Sequence, residues 1–595
     1  MTHFTTRPEI KGTFGVVTST HWIASAVGMS ILERGGNAFD AAVAAGFVLQ
    51  VVEPHLNGPA GDLPVIYRPA GGEPKVLCAQ GSAPAAATVE AMKALGLDMI
   101  PGSGLLATVV PGAFDGWLSL LRDQGTMELS EILAPTIEYL LNGWPTLPAV
   151  SAAIKELLPF FRAHWPSSAD VWAPGGVVPE PGSLMRNPEL ARTWQRICEL
   201  ADGTTRQERI DAARITWRDG FVADTIAGWL ENANVMDVTG ERHKAFLTRD
   251  DMKNWAARVE APLSVRYHGW EIYKTGPWGQ GPVLLQALQI LRNFDLSPMD
   301  PMGPEFVHIV VEAIKLAWAD REAYYGDPDF FDIPITQLLS EAYGRERAKL
   351  IGQSASLQQR PGVICGCEAL VEAAIARALR RVNIEDNPAT GEPTMAHLTD
   401  IRGDTVHLDI IDRCGNIVSA TPSGGWLQSN PVIPGLGFAL NSRAQMFWLD
   451  HGLASTLRPG ARPRTTLTPS LALHGDGRAL AFGTPGGDQQ DQWQLIWFLR
   501  FVHHGLDLQA GIDAPLFHSQ HFQGSFFPRQ ANPGRLMLEA SFGEATIARL
   551  KELGHELVVS PANTIGRLTA ALRHPDGLMQ AAATPRLMQA YAIGR

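Results

Sequence analysis

The clearest secondary-structure signal in the chain is the alternation of polar and apolar residues between Asp404 and Asp412. Alternate side chains fall on opposite faces: Thr405, His407, Asp409 and Ile411 on one, and Val406, Leu408 and Ile410 on the other. This period of two predicts a strand. Residues 412–415 are typical of a turn, so we predict a return strand over 416–421. The result is a hairpin with a polar face that begins at a threonine.

Helical patterns dominate the chain before this hairpin. Residues 22–52 are apolar with a break at Gly35-Gly36, and Asn37 is placed to cap the second helix. Residues 128–257 are mostly helical, with loops rich in proline and tryptophan between 143 and 183. The remaining predicted elements are helices at 283–293, 305–325, 489–504 and 543–553, and strands at 64–67 and 76–79.

The composition predicts one large compact unit. Of the 595 residues, 45% are hydrophobic and 18% are charged, which is enough for an extensive core. No low-complexity tract or charge block separates domains. The net charge is −12, and because phosphate binding needs a basic surface, we expect no nucleic-acid partner.

Targeting and metal-binding signals are weak. The first eight residues lack the apolar segment of a signal peptide, and no run of 18 apolar residues predicts a membrane span. The five cysteines are sparse and odd in number, which favours a reducing, cytoplasmic compartment over a disulfide framework. Cys365-Gly366-Cys367 has no second ligand pair at zinc spacing, so we expect no metal site there. We also expect no cofactor.

Thr405 carries the candidate chemistry. If the chain were cut before it, this residue would hold a hydroxyl and a free α-amine, and the amine can take the proton of the hydroxyl. An ordinary strand with a threonine on a solvated face gives the same pattern, so the hairpin alone does not decide. From about residue 356 to residue 404 we predict a looser chain. Its polar tract, which includes residues 387–393, runs directly into Thr405 and is an accessible place for a chain break.

Six short motifs occur along the chain, each an ordinary turn or helix sequence by itself. Together they have the order and spacing that are typical of one protein family. They are residues 35–43, Val110-Pro111-Gly112, Ala319-Asp320-Arg321 with Gly326-Asp327-Pro328, the Thr405 hairpin with its Gly415-Asn416 turn, Arg464-Thr465-Thr466 with Thr468-Pro469, and Gly483-Thr484-Pro485-Gly486-Gly487. With these motifs the chain resembles, from about Gly15 to the C-terminus, the γ-glutamyltranspeptidase family of N-terminal nucleophile hydrolases.

The resemblance implies an α+β fold, a four-layer αββα sandwich, and synthesis as a precursor. Thr405 would attack the carbonyl of Asp404 and so cleave the Asp404–Thr405 bond. The products would be a large subunit of residues 1–404 and a small subunit of residues 405–595, held together as an αβ heterodimer. Whether such heterodimers pair further is left open. The substrate would be a small-molecule amide, and no membrane partner is expected.

The resemblance also assigns roles around Thr405. Ser423 falls where the family has a hydroxyl that orients the nucleophile, and its alternative is a turn serine. Gly486 and Gly487 fall where two backbone N–H groups form the oxyanion hole, and their alternative is a tight turn. Thr465 and Thr466 fall where a hydroxyl pair contacts the substrate's carboxylate.

Three polar anchors for a glutamyl group are replaced in this chain. Gln80 stands where the family has an arginine for the carboxylate, Met446 where it has an acid for the amino group, and Gly425 where it has an asparagine. Each charge-assisted hydrogen bond contributes about 1.5–3 kcal/mol, so losing them disfavours glutathione as the best substrate.

Residues near Gly425 and Met446 suggest that the substrate carries a different acyl group. Arg443 closely follows Asn441, in a segment that lines the acyl pocket in the family. It stands where the family has a neutral amide, and it is suited to hold another carboxylate. A structural salt bridge is the equally weighted alternative for Arg443. Trp426, Phe447 and Trp448 would make the pocket more apolar, or belong to the core.

Three hypotheses follow from these residues. The first is a self-processing amidohydrolase with a non-glutamyl substrate, either oxamate-like or acylase-type. The second is a true γ-glutamyl hydrolase or transferase with substitute anchors. The third is an uncleaved relative that acts as a binding protein.

Overall fold

Two seven-stranded antiparallel sheets form the centre of the molecule. The computed structural model describes residues 4–380, Met395 and residues 404–595. In spatial order, the first sheet contains Tyr591–Gly594, Gly15–Ser19, Leu408–Asp412, Ile417–Ala420, Leu63–Arg68, Lys75–Ala79 and Arg258–Glu260. The second contains Ile10–Gly12, Met579–Ala583, Thr569–Arg573, Ala479–Gly483, Ser470–His474, Trp270–Lys274 and Leu263–Tyr267.

The predicted hairpin is present and lies in the first sheet. Its strands are Leu408–Asp412 and Ile417–Ala420, so regular pairing starts three residues after Thr405 rather than at Asp404. The turn is closed by the Gly415 amide, which donates to the carbonyl of Asp412 over 3.0 Å. Gly415 has a φ of +90°, a conformation that glycine adopts without steric cost.

The polar face of the hairpin is buried, which argues against the alternative of an ordinary strand with a solvated face. Asp409 accepts hydrogen bonds from Ser419 on the return strand and from Thr569 in the second sheet, each over 2.8 Å. His407 lies 3.0 Å from the same carboxylate. The polar residues therefore link the two sheets, and apolar residues such as Ile411 and Ala571 pack in the same interface.

Helices pack against each sheet. Trp22–Glu33, Ala38–Val52, Ala113–Gln124 and Leu129–Asn142 share a hydrophobic core with the first sheet. Pro282–Leu291, Pro304–Tyr324 and Gln490–His504 share a core with the second. The predicted cap is confirmed, because Asn37 accepts hydrogen bonds from the amides of Phe39 and Asp40.

The remaining elements are short or peripheral. The other α-helices are Val89–Ala94, Pro148–His164, Pro166–Trp172, Pro188–Leu200, Arg206–Asp219, Phe221–Asn232, Arg249–Lys253, Ile335–Leu338, Glu341–Ala348, Glu368–Ala378, Leu508–Asp513 and Glu544–Glu552. The smaller sheets pair Phe517–Ser519 with Arg535–Glu539 and Glu556–Ser560, Trp144–Pro145 with Leu184–Met185, and Val235–Met236 with Arg242–His243.

Two regional predictions need correction. The region 143–183, predicted as loops, contains the helices Pro148–His164 and Pro166–Trp172. Each begins with a proline at its first position, where the missing N–H costs nothing. The region predicted to be loose after residue 356 contains the helix Glu368–Ala378, and the polar tract at 387–393 lies outside the described residues.

The two predicted subunits share both sheets. Gly15–Ser19 pairs with Leu408–Asp412, and Leu63–Arg68 pairs with Ile417–Ala420, so strands from either side of Thr405 are direct neighbours. All five cysteines are free in this structure. Among the described residues, no helix is both long and apolar enough to cross a membrane.

Candidate active site

Thr405 is fully buried beside Ser423. The two residues form an antiparallel bridge, and the hydroxyl of Thr405 donates to that of Ser423 over 3.4 Å. Ser423 in turn donates to the backbone carbonyl of Asp404 over 2.7 Å. A hydrogen-bonded chain therefore leads from the candidate nucleophile to the carbonyl that it is predicted to attack.

The loop at residues 55–62 fixes the position of Ser423. The Asp62 amide donates to the Ser423 carbonyl over 2.8 Å, and the Ser423 amide donates back to Asp62 over 3.1 Å. The two backbones approach so closely that a Cβ on Gly61 would lie 2.0 Å from the Ser423 oxygen. Sequence reasoning assigned this segment no role, yet it forms one wall of the site.

Gly486 lies directly against the predicted cleavage point, and Gly487 follows it in the same loop. The Gly486 amide donates to the Asp404 side chain over 2.7 Å. The φ values of the two glycines are +131° and +57°, and a Cβ on Gly486 would lie 2.2 Å from the Trp493 ring. These residues precede the helix Gln490–His504, whose positive end adds to the attraction for a negatively charged oxygen.

Arg567 is a site residue that the sequence did not reveal. Its guanidinium forms an ion pair with the Asp404 carboxylate, so that carboxylate lies between Arg567 and the Gly486 amide. Burial raises the pKa of Asp404, and the charge of Arg567 opposes that effect. The Arg567 amide also donates to the hydroxyl of Thr484 over 3.2 Å, which ties it to the loop that carries the two glycines.

Gln490 is a second residue that sequence reasoning missed. Its side-chain nitrogen donates to the Thr405 hydroxyl over 3.4 Å, and its oxygen accepts from the Thr468 amide over 3.2 Å. Thr405 thus receives one hydrogen bond from Gln490 and donates another to Ser423. The only available signal was its position three residues after the glycine pair.

Arg443 is fully buried in an ion pair with Asp62. Its Nε donates to Asp62 over 2.8 Å, and its guanidinium lies 4.9 Å from the centre of the Trp426 ring. Thr465 donates to the other oxygen of Asp62 over 3.4 Å. Burial raises the pKa of Asp62, and Arg443 counteracts this effect. This geometry favours the salt-bridge alternative for Arg443.

Asn441 and Thr466 differ in how their polar atoms are used. The Asn441 side chain accepts from the amides of Val109 and Arg443 and donates to the carbonyls of Ala60 and Val109, at 2.8–3.2 Å. It therefore positions the segment that carries Arg443. The buried hydroxyl of Thr466 has no hydrogen-bond partner within the described part of the chain.

Gln80 is not joined to this cluster by any described hydrogen bond. It lines a cavity of about 190 Å³ together with Asn254, Arg258, Asp327 and Arg462. Both polar atoms of its side chain are buried without a partner among the described residues. The position that resembles the family's carboxylate-binding arginine is thus occupied by an unpaired amide.

A buried carboxyl group lies behind Arg567. Glu53 accepts from the Thr20 hydroxyl over 2.6 Å and from the side chain of Gln589. Burial raises the pKa of Glu53 to about 8, although Arg567 partly opposes the shift. At neutral pH this group is therefore mostly uncharged and leaves the positive charge of Arg567 largely uncompensated from that side.

One cluster outside the site has ligand atoms of a metal-binding type. In the described part of the chain, His308, Glu312 and His555 bring such atoms within 4.8 Å of one another. Glu312 already binds Lys315 over 2.6 Å and Arg360 over 3.0 Å. Because Lys315 and Arg360 already neutralise Glu312, the one carboxylate of this cluster, a divalent ion is disfavoured there. The candidate chemistry does not involve these residues.

Known proteins resemble this chain over almost all its length. It is 31% identical to the oxamate amidohydrolase proenzyme of Klebsiella pneumoniae (96% of this chain, 97% of that protein). It is 30% identical to the glutathione hydrolase-like YwrD proenzyme of Bacillus subtilis (97% and 98%).

Solved structures agree with this result. LmbA2991HD superposes with a TM-score of 0.92 at 48% identity over the whole of both chains. The cephalosporin acylase of Bacillus halodurans superposes with a TM-score of 0.82 at 27% identity, over 100% of this chain and 98% of that one. The family model described as Gamma-glutamyltranspeptidase matches residues 24–594. This chain therefore belongs to the γ-glutamyltranspeptidase family.

Proposed function

We propose that the protein is a self-processing N-terminal threonine amidohydrolase with a non-glutamyl substrate. The observation that carries the proposal is the chain of hydrogen bonds from the Thr405 hydroxyl through Ser423 to the Asp404 carbonyl. The proenzyme names of its relatives support self-processing. We also infer that the helices and two sheets form the four-layer αββα sandwich of N-terminal nucleophile hydrolases.

Processing begins when the Thr405 oxygen attacks the Asp404 carbonyl carbon. The C–N bond breaks, an ester forms to Thr405, and the nitrogen becomes its free α-amine. Water then hydrolyses the ester, which restores the hydroxyl and gives residues 1–404 and 405–595. Ser423 polarises the attacked carbonyl, because its hydroxyl donates to that oxygen.

The same hydroxyl then performs the hydrolysis of substrate. The α-amine of Thr405 takes the hydroxyl proton as the oxygen attacks the amide, and the amide's nitrogen leaves as ammonia or an amine. The N–H groups of Gly486 and Gly487 stabilise the negative oxygen of each tetrahedral intermediate. Water releases the acyl group from Thr405. No metal or cofactor takes part in this scheme.

We infer the substrate class from the residues at the family's glutamyl-binding positions and from the relatives of this chain. Gln80, Met446 and Gly425 supply no charge for a glutamyl group. The matched names include an oxamate amidohydrolase, and an Acylase ACY 1 proenzyme from Pseudomonas sp. strain SE83 at 28% identity over 96% of this chain. The unpartnered hydroxyl of Thr466 is suited to contact such a substrate. Glutathione hydrolysis is the second candidate, since YwrD is named glutathione hydrolase-like.

Two measurements test the proposal. Mass spectrometry of purified protein should show a fragment that begins at Thr405, and Thr405→Ala should remain intact and inactive, while Thr405→Ser keeps a hydroxyl and should still cleave.

A hydrolysis screen should include oxamate, oxamide, acyl amides and γ-glutamyl-p-nitroanilide. An intact 64.5 kDa chain with full activity would refute self-processing. Preferred turnover of the γ-glutamyl compound would favour the second candidate, and an uncleaved chain without activity would favour a binding protein.

A further inference from the structure

The side chain of Asp404 occupies an anion-binding position beside its own scissile bond. One carboxylate oxygen accepts from the Gly486 amide over 2.7 Å, and the other is paired with Arg567. Both Asp404 and the nucleophile are buried. In the uncleaved chain, the Gly486 amide that is assigned to the oxyanion hole therefore already donates its hydrogen bond to Asp404, the residue before the cleavage point.

Cleavage removes the covalent bond that holds this carboxylate in place. Asp404 becomes the last residue of the large subunit, and its departure leaves the Gly486 amide and Arg567 side by side next to Thr405. Arg567 keeps its backbone bond to Thr484, so its position does not depend on Asp404 alone. The neutral state of Glu53 leaves the guanidinium charge available for a substrate.

We propose that Arg567 is the residue that selects a substrate carboxylate attached directly to the scissile carbonyl carbon, as in oxamate. This inference rests on the proposed function and deepens it. Two oxygens on adjacent carbons of an oxalyl group are only slightly farther apart than the two oxygens of one carboxylate. The amide oxygen can thus take the place on Gly486, while the neighbouring carboxylate takes the place on Arg567.

The same geometry disfavours other acyl groups. In a γ-glutamyl group, three carbons separate the carboxylate from the scissile carbonyl, so its oxygens do not span two adjacent donors. Arg443, the other arginine near Ser423, is engaged with Asp62. Arg567 is therefore the described guanidinium best placed to recognise an oxalyl group, since the carboxylate that pairs with it belongs to the residue just before Thr405.

The first test compares oxamate with oxamide, its neutral isostere, on cleaved enzyme. Arg567→Gln should lower kcat/KM for oxamate by about 10- to 150-fold, the effect of losing a hydrogen bond to a charged group. Oxamide hydrolysis should change much less. Arg573→Gln, at the end of the strand that follows Arg567, is the matched control and should leave the oxamate-to-oxamide ratio unchanged. Equal losses on both substrates would overturn the proposal.

The second test does not require cleavage. In the uncleaved Thr405→Ala protein, Asp404 fills the position, so calorimetry should detect no oxalate binding. The double variant Thr405→Ala with Asp404→Ala empties it and should bind oxalate, and adding Arg567→Gln should abolish that binding. No binding by the double variant would overturn the role of Arg567. Failure of the wild-type chain to cleave would instead refute the proposed function, so the two failures are distinguishable.

Discussion

Position 486 requires glycine for two reasons, its backbone conformation and its close packing. Its φ of +131° is strained for an L-residue, and its Cα lies against the Trp493 ring. We predict that Gly486→Ala displaces the amide that holds Asp404 in the precursor. Loss of one oxyanion donor typically lowers kcat by about 10²–10³-fold.

Steady-state kinetics on the cleaved fraction of Gly486→Ala will test this prediction. Gly452→Ala is a suitable control, because Gly452 also has a positive φ (+81°) but faces open space. An unchanged kcat for Gly486→Ala would place the oxyanion hole elsewhere.

Glu53 makes the stability of the protein depend on pH. Its pKa rises from 4.5 to about 8 on folding, chiefly through burial, so the folded state binds the proton more tightly than the unfolded state. The stabilisation is complete below about pH 4.5 and is lost as the pH rises through about 8. We expect Glu53→Gln to reduce the fall in melting temperature between pH 6 and pH 9.

Thermal unfolding at both pH values gives the comparison. The surface variant Glu33→Gln should show the same pH dependence as wild type, because Glu33 is exposed. If Glu53→Gln loses as much stability as wild type between pH 6 and 9, Glu53 is charged in the folded protein at neutral pH.

Individual site residues differed in how far the sequence could locate them. The family resemblance assigned neighbouring roles to Thr405, Ser423 and Gly486, whereas their local sequences alone indicated only a strand and turns. Arg567 reaches Asp404 across 163 residues, and Gln490 reaches Thr405 across 85. Neither residue lies in a motif that pointed to this contact. A contact between residues that are far apart in the sequence leaves no local pattern from which it could be predicted.

At the scale of elements, the loop at 55–62 and the segment that carries Arg443 act as one support for Ser423. Asp62 bonds Ser423 through its backbone and Arg443 through its side chain. We predict that Arg443→Lys lowers the melting temperature and decreases kcat/KM equally for oxamate and oxamide. A lysine cannot reproduce the Nε hydrogen bond or the contact with Trp426, and one bond to a charged group contributes about 1.5–3 kcal/mol.

A double-mutant cycle separates the two roles left open for Arg443. If the arginine is structural, Asp62→Asn should cause a similar loss, and combining it with Arg443→Lys should add little. A loss confined to oxamate, with normal stability, would instead show that Arg443 binds the substrate carboxylate.

Elements were predicted well where one strong period was present. The helix after Asn37 and the hairpin after Thr405 have local signals, a cap in one and alternation in the other. Alternation does not reveal what covers the polar face, so the burial of Asp409 against Thr569 could not be foreseen. The prolines in region 143–183 led to a wrong prediction of loops, because proline can occupy the first position of a helix as well as end one.

At the scale of the whole molecule, the proposed cleavage divides the chain without dividing the fold. In the first sheet, Leu408–Asp412 lies between Gly15–Ser19 and its own hairpin partner, and Ile417–Ala420 pairs onward with Leu63–Arg68. In the second, Ile10–Gly12 pairs with Met579–Ala583, and Trp270–Lys274 pairs with Ser470–His474. Cutting one peptide bond breaks none of these ladders.

We therefore predict that the two fragments remain one particle after cleavage. A denaturing gel should show two bands, while native mass spectrometry should show a single species heavier than the 64.5 kDa chain by one water molecule. Size-exclusion chromatography of the cleaved protein and of uncleaved Thr405→Ala should give the same elution volume. The fragments should separate only in denaturant, because separation exposes the apolar interior of both sheets to water. Dissociation under native conditions would contradict the shared sheets.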